Sequence, residues 1–230
     1  MAKGKIYSIK GGSRILPTTQ NSVVVPTSEL IKKKGIDLRV LACISAISNV
    51  DDWSREGDNN RYCSVDKINS NLDNLCNLLD IDRTKLMRRI REIIKVDSYE
   101  FKKVQREVDA KQASCVEIKY ESGGFITIDC GVLEGLVSNL SNNAFKLYVN
   151  LLWLCKDVNK NQFIERQLTQ EFLLPLMGLA KSSKRVIRIA EAELVEKNLI
   201  EVRTKWETKI RGDFEGVVPV AKKYYKIKNA

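Results

Sequence analysis

Two stretches of this sequence gather hydroxyl and cationic side chains close together: Thr84, Lys85, Arg88, Arg89 and Arg91, and Ser182, Ser183, Lys184, Arg185 and Arg188. Side chains of these types bind polyanions. Arginine can bridge O6 and N7 of guanine with two bonds, whereas Lys, Ser and Thr mostly hold phosphate oxygens. Each set opens a segment of helical apolar period, and a helix start adds N–H groups and a positive dipole end to the attraction. A second group lies in segments that alternate as strands: Arg203, Lys205, Lys209 and Arg211 late in the chain, Lys102, Lys103 and Arg106 earlier. The plainer alternative is that a basic helix face is simply solvated. Two such faces, each after a turn and before a hairpin, favour the binding reading.

What the chain lacks narrows the chemistry further. Its 230 residues include no histidine, which excludes Ser-His-Asp and Cys-His catalysis, imidazole metal sites and the His-hydrophobe-His metal centre of rolling-circle nickases. Tyr224-Tyr225 beside Lys222 and Lys223 offers a nucleophilic tyrosine on paper, but a strand with one inward Tyr is the simpler reading. Asp51-Asp52 and Asp80-Asp82 fall at a loop and a turn, where Asp is common anyway. There is no Walker loop, and Gly11-Gly12 and Gly123-Gly124 lack a phosphate-binding context. No enzyme, metal or cofactor is expected. The six cysteines, Cys43, Cys63, Cys76, Cys115, Cys130 and Cys155, are never closer than 13 residues and form no C-x-x-C pair. Three of them, Cys43, Cys76 and Cys155, sit in apolar helical patterns, so reduced structural cysteines and a cytoplasmic setting are expected. The N-terminus has no apolar core of signal-peptide length, and no run approaches the ~18 apolar residues of a membrane span. The longest candidate, Phe145 to Cys155, includes Lys146 and Asn150. A balance of 39 Lys+Arg against 29 Asp+Glu, net +10, points to a polyanionic partner, most simply nucleic acid.

These side chains need elements to position them. Residues 1–20 carry Lys3, Lys5, Lys10 and Arg14 and no acid, with Gly11-Gly12 and Pro17 as breakers, and read as a basic flexible arm. A helix is expected from Thr27, broken at Lys32-Lys33-Lys34-Gly35, and then a buried helix over Asp37–Ser48. Residues 49–62 are polar and turn-rich, hence a loop. Leu72, Leu75, Leu78 and Leu79 mark a short amphipathic helix, and Thr84 can cap a longer one running to about Val96. On that helix Leu86, Met87, Ile90, Ile93 and Ile94 share an arc of roughly 120° at 100° per residue, with the basic set on the other side. Residues 99–120 then alternate as two strands around a polar tip.

The second half repeats this order. GGFITID reads as a turn and strand, Ser141-Asn142-Asn143 leads into an apolar helix over Ala144–Cys155, and KDVNKNQ is a polar loop. A helix over Leu168–Leu179 should bury Phe172, Leu173, Leu176 and Met177, with Gly178 near its end. Ser182-Ser183 can cap a helix over Lys184–Lys197, ending near Asn198, whose apolar side is Val186, Ile187, Ile189, Ala190 and Leu194. LIEVRTKW and VVPVAKKYYKIK make a closing hairpin. At a spacing of 99 residues, Thr84, Lys85, Met87, Arg89, Ile90 and Val96 face Ser183, Lys184, Val186, Arg188, Ile189 and Val195. The expected fold class is therefore mainly α (α+β): tandem winged helix-turn-helix domains, with an arm at 1–20, domain 1 at 21–122 and domain 2 at 123–230. One groove helix of such a pair can serve dimerisation instead of DNA.

FITIDCGVLEGLVSNLSNNAFKLYVNLLWL, residues 125–154, resembles the strand, short helix and Leu-Tyr-containing helix that begin the second domain of plasmid replication initiators built from two winged helices. EFLLPLMGLAKSSKRVIRIAEAELVEKNLIEV, residues 171–202, resembles the DNA-reading unit of that family, and the likeness runs in order over most of the chain. The polar loop at 49–62 departs from it, and the chain is short for the family. The resemblance implies binding to origin repeats, a dimer-to-monomer switch and recruitment of host replication proteins. Double-stranded DNA is the expected partner, with self-association as a dimer and no membrane. Two other classes remain: a phage- or plasmid-borne transcriptional regulator on an operator, and a protein-binding adaptor in a replication or segregation complex.

Overall fold

The computed structural model describes residues 15, 16, 18, 21–26, 35–50, 61–95, 101–108, 111–118, 125–157, 160, 162–210 and 217–228. Helix and sheet are mixed in it. Strand β1 (Ser22–Pro26) buries Val23 and Val25 by simple alternation and runs antiparallel to β6 (Phe125–Asp129), from Ser22 opposite Asp129 to Pro26 opposite Phe125. Helix α1 (Leu38–Ile47) is buried along its whole length, as its near-continuous apolar run requires. Asp37 caps it by accepting from the Arg39 N–H at 3.1 Å.

The first unit continues with β2 (Asn49–Val50), β3 (Arg61–Ser64), α2 (Val65–Ser70), α3 (Leu72–Leu79) and α4 (Arg83–Ile94). It closes with the hairpin β4 (Phe101–Val108) and β5 (Lys111–Ile118), in a four-stranded antiparallel sheet of order β2-β3-β5-β4. The loop expected over 49–62 is thus flanked by paired strands. Asp80, left-handed at φ 50°, ends α3, and Asp82 rather than Thr84 caps α4, accepting from the Lys85 N–H at 2.8 Å. Aspartate outranks threonine at that position, and capping there starts the helix two residues earlier.

In the second unit Asp129 caps α5 (Cys130–Asn139) and Ser141 caps α6 (Asn142–Cys155). Helix α6 is followed by the small hairpin β7 (Lys156–Asp157) and β8 (Gln162–Phe163), where a loop was expected. Then come β9 (Arg166–Gln167), α7 (Gln170–Leu176), a 3₁₀ turn at Lys181–Ser183, and α8 (Lys184–Glu196). Gly178 at φ 68° and Asn198 at φ 57° take the left-handed conformation that ends α7 and α8. The closing hairpin is β10 (Ile200–Ile210) with β11 (Val217–Ile227), in a sheet of order β10-β11-β9. In both units the short strand before the helices pairs with the second strand of the hairpin, β3 with β5 and β9 with β11.

Two expectations need correcting. The arm at 1–20 is anchored at its end: Leu16 is buried, and the Ile15 and Leu16 N–H groups donate to one Glu134 carboxylate oxygen at 3.0 and 2.7 Å. The two units also do not separate cleanly at 122/123, because β1 crosses over to pair with β6 and a single apolar cluster runs from Leu16 to Ile227. Residues 1–14, 27–34 and 51–60, which hold the rest of the arm, the expected helix from Thr27 and most of the polar loop, lie outside the described residues.

Candidate nucleic-acid interface

Helix α8 sits on its unit through Ile187, Ala190, Glu191 and Leu194, all buried and all on one side of the helix. Glu191 is the unexpected member. Its carboxylate accepts from the Lys223 ammonium at 2.5 Å and from the Tyr225 hydroxyl, which ties the helix to β11. Tyr225 is the inward tyrosine of the pair; burial and the Glu191 bond hold its phenol protonated, well above its ordinary value. The opposite side of α8 is solvated, and Lys184, Arg185 and Arg188 are exposed there or at its margin. Among the described residues neither Arg185 nor Arg188 has an ion-pair partner.

The start of α8 differs from expectation in one respect. No side chain caps it: Ser183 makes no cap bond, and Lys181–Ser183 form the 3₁₀ turn instead, with Ser182 exposed and Ser183 half-buried. Lys184 pairs with Glu171, and this bond holds the Glu171 carboxyl below its ordinary value. Both groups are well exposed, so the pair is worth little in water. The hairpin β10–β11 adds Arg203, exposed and bonded to Glu201 at 2.6 Å, and Lys205. The Lys205 ammonium lies 4.4 Å from the Tyr224 ring centre and 3.7 Å from Glu165. Trp206, next in line, is 70 % exposed. Lys209 falls within β10, but its side chain and Arg211 lie outside the described residues.

In the first unit Thr84, Lys85, Arg88 and Arg91 are exposed on α4. Arg89 is turned away from them. Its guanidinium pairs with Asp37, the α1 cap, which also holds Arg39 at 3.3 Å, and Arg39 in turn donates to the Leu140 carbonyl at 2.9 Å. Burial draws both guanidinium groups below their ordinary value, yet from so high a start they stay charged. Arg89 therefore holds α4 against the core. In the shorter hairpin Lys103 is exposed, while Arg106 lies 4.7 Å over the Tyr62 ring and 4.0 Å from Glu117; the Lys102 side chain lies outside the described residues. The start of α4 is acidic, with Asp80 and Asp82 exposed and the Asp82 carboxylate already occupying an N–H group that an anion would take.

No protein-family model, curated protein or solved structure matches this chain. The reading therefore rests on the side chains. Two exposed apolar residues escaped the pattern-based expectation. Ile189, placed on the buried side of α8, is 57 % exposed, and Phe172, placed on the buried side of α7, is 47 % exposed. In each case the next two residues are the buried ones: Ala190 and Glu191 in α8, and Leu173 and Leu174 in α7. A wheel centred on Ile187, Ala190 and Leu194 puts Ile189 roughly 200° from the first of them, so the signal was present but outvoted by hydrophobicity. Among the described residues no three His, Cys, Asp or Glu side chains gather as metal ligands, and no helix is long and apolar enough to cross a membrane. All six cysteines are free; burial pushes the thiols of Cys43 and Cys63 up to about 12 and that of Cys155 up to about 11, which leaves them inert.

Proposed function

We propose that this chain is a sequence-specific double-stranded DNA-binding protein built from two winged helix-turn-helix units, with the second unit reading bases. The observation that carries the proposal is the solvated side of α8, where Arg185 and Arg188 have no acidic partner among the described residues and stand opposite the buried line Ile187, Ala190 and Leu194. A helix so placed, after a turn and before a hairpin, is the element that enters a major groove, and arginine is the residue that reads guanine there. The strand order supports the winged form. In each unit the strand before the helices joins the hairpin through its second strand, which sets the hairpin beside the groove helix.

The two units take unequal roles. Helix α4 carries Asp80 and Asp82 at its entrance, which repel phosphate, and gives up Arg89 to Asp37. Helix α8 has Lys181, Ser182, Ser183 and Lys184 at its entrance and the longer hairpin. At about 3.3 Å per residue, the 11-residue β10 reaches roughly 10 Å further than the 8-residue β4. In this reading α8 supplies base contacts, β10–β11 supplies phosphate contacts through Arg203 and Lys205, and Thr84, Lys85, Arg88 and Arg91 add backbone contacts. Replication initiation at origin repeats, by a protein that self-associates as a dimer and recruits host replication proteins, is the narrower form of the proposal. It rests on the resemblance of residues 125–154 and 171–202.

The experiment is a pair of substitutions read on selected and random duplexes. Arg185→Ala with Arg188→Ala should weaken binding to a selected site by about 1–3 kcal/mol per lost base contact and erase preference at those positions. Lys205→Ala should weaken binding evenly across sequences. Unchanged binding and preference in the double variant would remove α8 as the reading helix. Direct repeats at an origin would support initiation, whereas an inverted repeat over a promoter would make the protein a regulator.

A further inference from the structure

Among the described residues Ile189 is the most exposed large apolar residue on the helices of the second unit. Its neighbours on the helix surface decide what could cover it. At roughly 100° per residue, Arg185, Ile189 and Ala192 fall within about 60° of one another, with Arg188 at the margin of the same face. All four are exposed. Over residues 184–192 the one carboxylate is Glu191, and it is buried beneath the helix against Lys223 and Tyr225. The N-terminal part of the face is therefore apolar at Ile189 and Ala192 with Arg185 and Arg188 to one side; its carboxylates come one and two turns later, Glu193, which is held by Ser141, and the exposed Glu196.

Such a face suits one ligand better than another. A second copy of this chain, meeting the same face antiparallel across a two-fold axis at Ile189, would set Arg185 against Glu193, whose carboxylate already accepts from Ser141. A DNA major groove offers instead phosphates and guanine edges for the arginines, and one strongly apolar feature, the 5-methyl group of thymine. Ile189 lies one helical turn from Arg185, about 6 Å along the axis, or roughly two base steps of 3.4 Å. Ala192 is short enough to let the backbone approach closely beside it. We infer that Ile189 is a specificity-determining residue, packing on the methyl group of a thymine about two base pairs from the guanine read by Arg185. This rests on the DNA reading proposed above and adds to it the identity of one base and the atom by which that base is recognised.

The test separates the two claims. Duplexes bound by the wild-type full chain are selected from a random pool, and each enriched thymine is then replaced singly by deoxyuridine, which lacks only the methyl group. One position should cost the wild-type protein about fourfold in affinity, the value of one buried methyl group. Ile189→Ala should bind the thymine and uracil duplexes alike, with the same salt dependence as wild type, since no charge has changed. The substitution is at an exposed site, so folding is not at risk; an unchanged melting temperature verifies it. Wild-type indifference to uracil at every enriched thymine overturns the assignment, as does an equal uracil penalty in Ile189→Ala. So does a shift from dimer to monomer in Ile189→Ala, which would make this face a protein contact. A pool that yields no enriched duplex overturns the DNA reading itself, and the inference falls with it.

Discussion

Lys146 lies in the middle of α6, the longest helix among the described residues, and is only 4 % exposed. That burial pulls its ammonium from the ordinary 10.5 down to about 8. Below pH 8 the folded and unfolded chains both hold the proton, and the fold carries the net cost of keeping the charge inside it. Between pH 8 and 10.5 the unfolded chain binds more protons than the folded one, so stability rises with pH; above 10.5 both forms are neutral and the cost is gone. Lys146→Met should therefore lose this pH dependence, so that the natural chain gains about 2–3 kcal/mol relative to the variant between pH 7 and pH 10. Urea melts of both proteins at the two pH values check this. A difference between the two proteins that is the same at both pH values would contradict the depressed lysine. A residue of this kind explains why so apolar a helix belongs to a protein core: Lys146 and Asn150 are both buried there, and the Asn150 amide bonds back to the Lys146 carbonyl at 2.9 Å.

At the scale of elements, the chain's strong periodicities were readable and its polar junctions were not. Buried α1, the Leu-rich α3, basic α4, apolar α6, α8 and both hairpins fall where apolar spacing and turn residues put them, because each buries a stripe or face that sequence period reports directly. The misses are of another kind. β1 pairs with a strand a hundred residues away, β2 and β9 are two residues long, and neither leaves a local signal. The position of Arg89 was also hidden, since on α4 alone it belongs to the basic face. Only the approach of α1 brings Asp37 beside it. Asp37→Asn tests that junction. Asparagine caps a helix as well as aspartate does, so the loss reports on the two arginines left without a counter-charge. Their burial makes a cost of about 3–5 kcal/mol the expected result, read as a lower urea midpoint. A control, Asp82→Asn at the exposed α4 cap, should change stability by less than about 0.5 kcal/mol.

Over the whole molecule, the two basic helices are joined by polar contacts as well as by a common core. Arg89 on α4 pairs with Asp37, Asp37 holds Arg39, and Arg39 donates to the Leu140 carbonyl. The next residue, Ser141, donates its N–H and hydroxyl to Glu193 on α8 at 2.6 and 2.7 Å. Asn142 closes the junction, accepting from the Leu38 N–H at 2.8 Å and donating to the Ile36 carbonyl at 3.3 Å. Units so joined should unfold together. Tryptophan fluorescence of a Trp53→Phe variant, reporting on Trp153 and Trp206 in the second unit, and far-ultraviolet dichroism, reporting on all helices, should give coincident urea transitions. Separate midpoints would mean that the units are independent.

The proposed function has its most direct test at this same scale, in equilibrium binding of the full chain to random and selected duplexes between 50 and 300 mM salt. With Lys184, Arg203, Lys205 and the α4 cations Lys85, Arg88 and Arg91 on phosphates, log affinity should fall linearly with log salt at a slope of roughly −0.9 per contact, about −5 for these contacts together. A selected duplex should stay at least ~10³-fold tighter than random sequence throughout. Millimolar affinity for every duplex at low salt, with no slope, would contradict DNA binding by this protein.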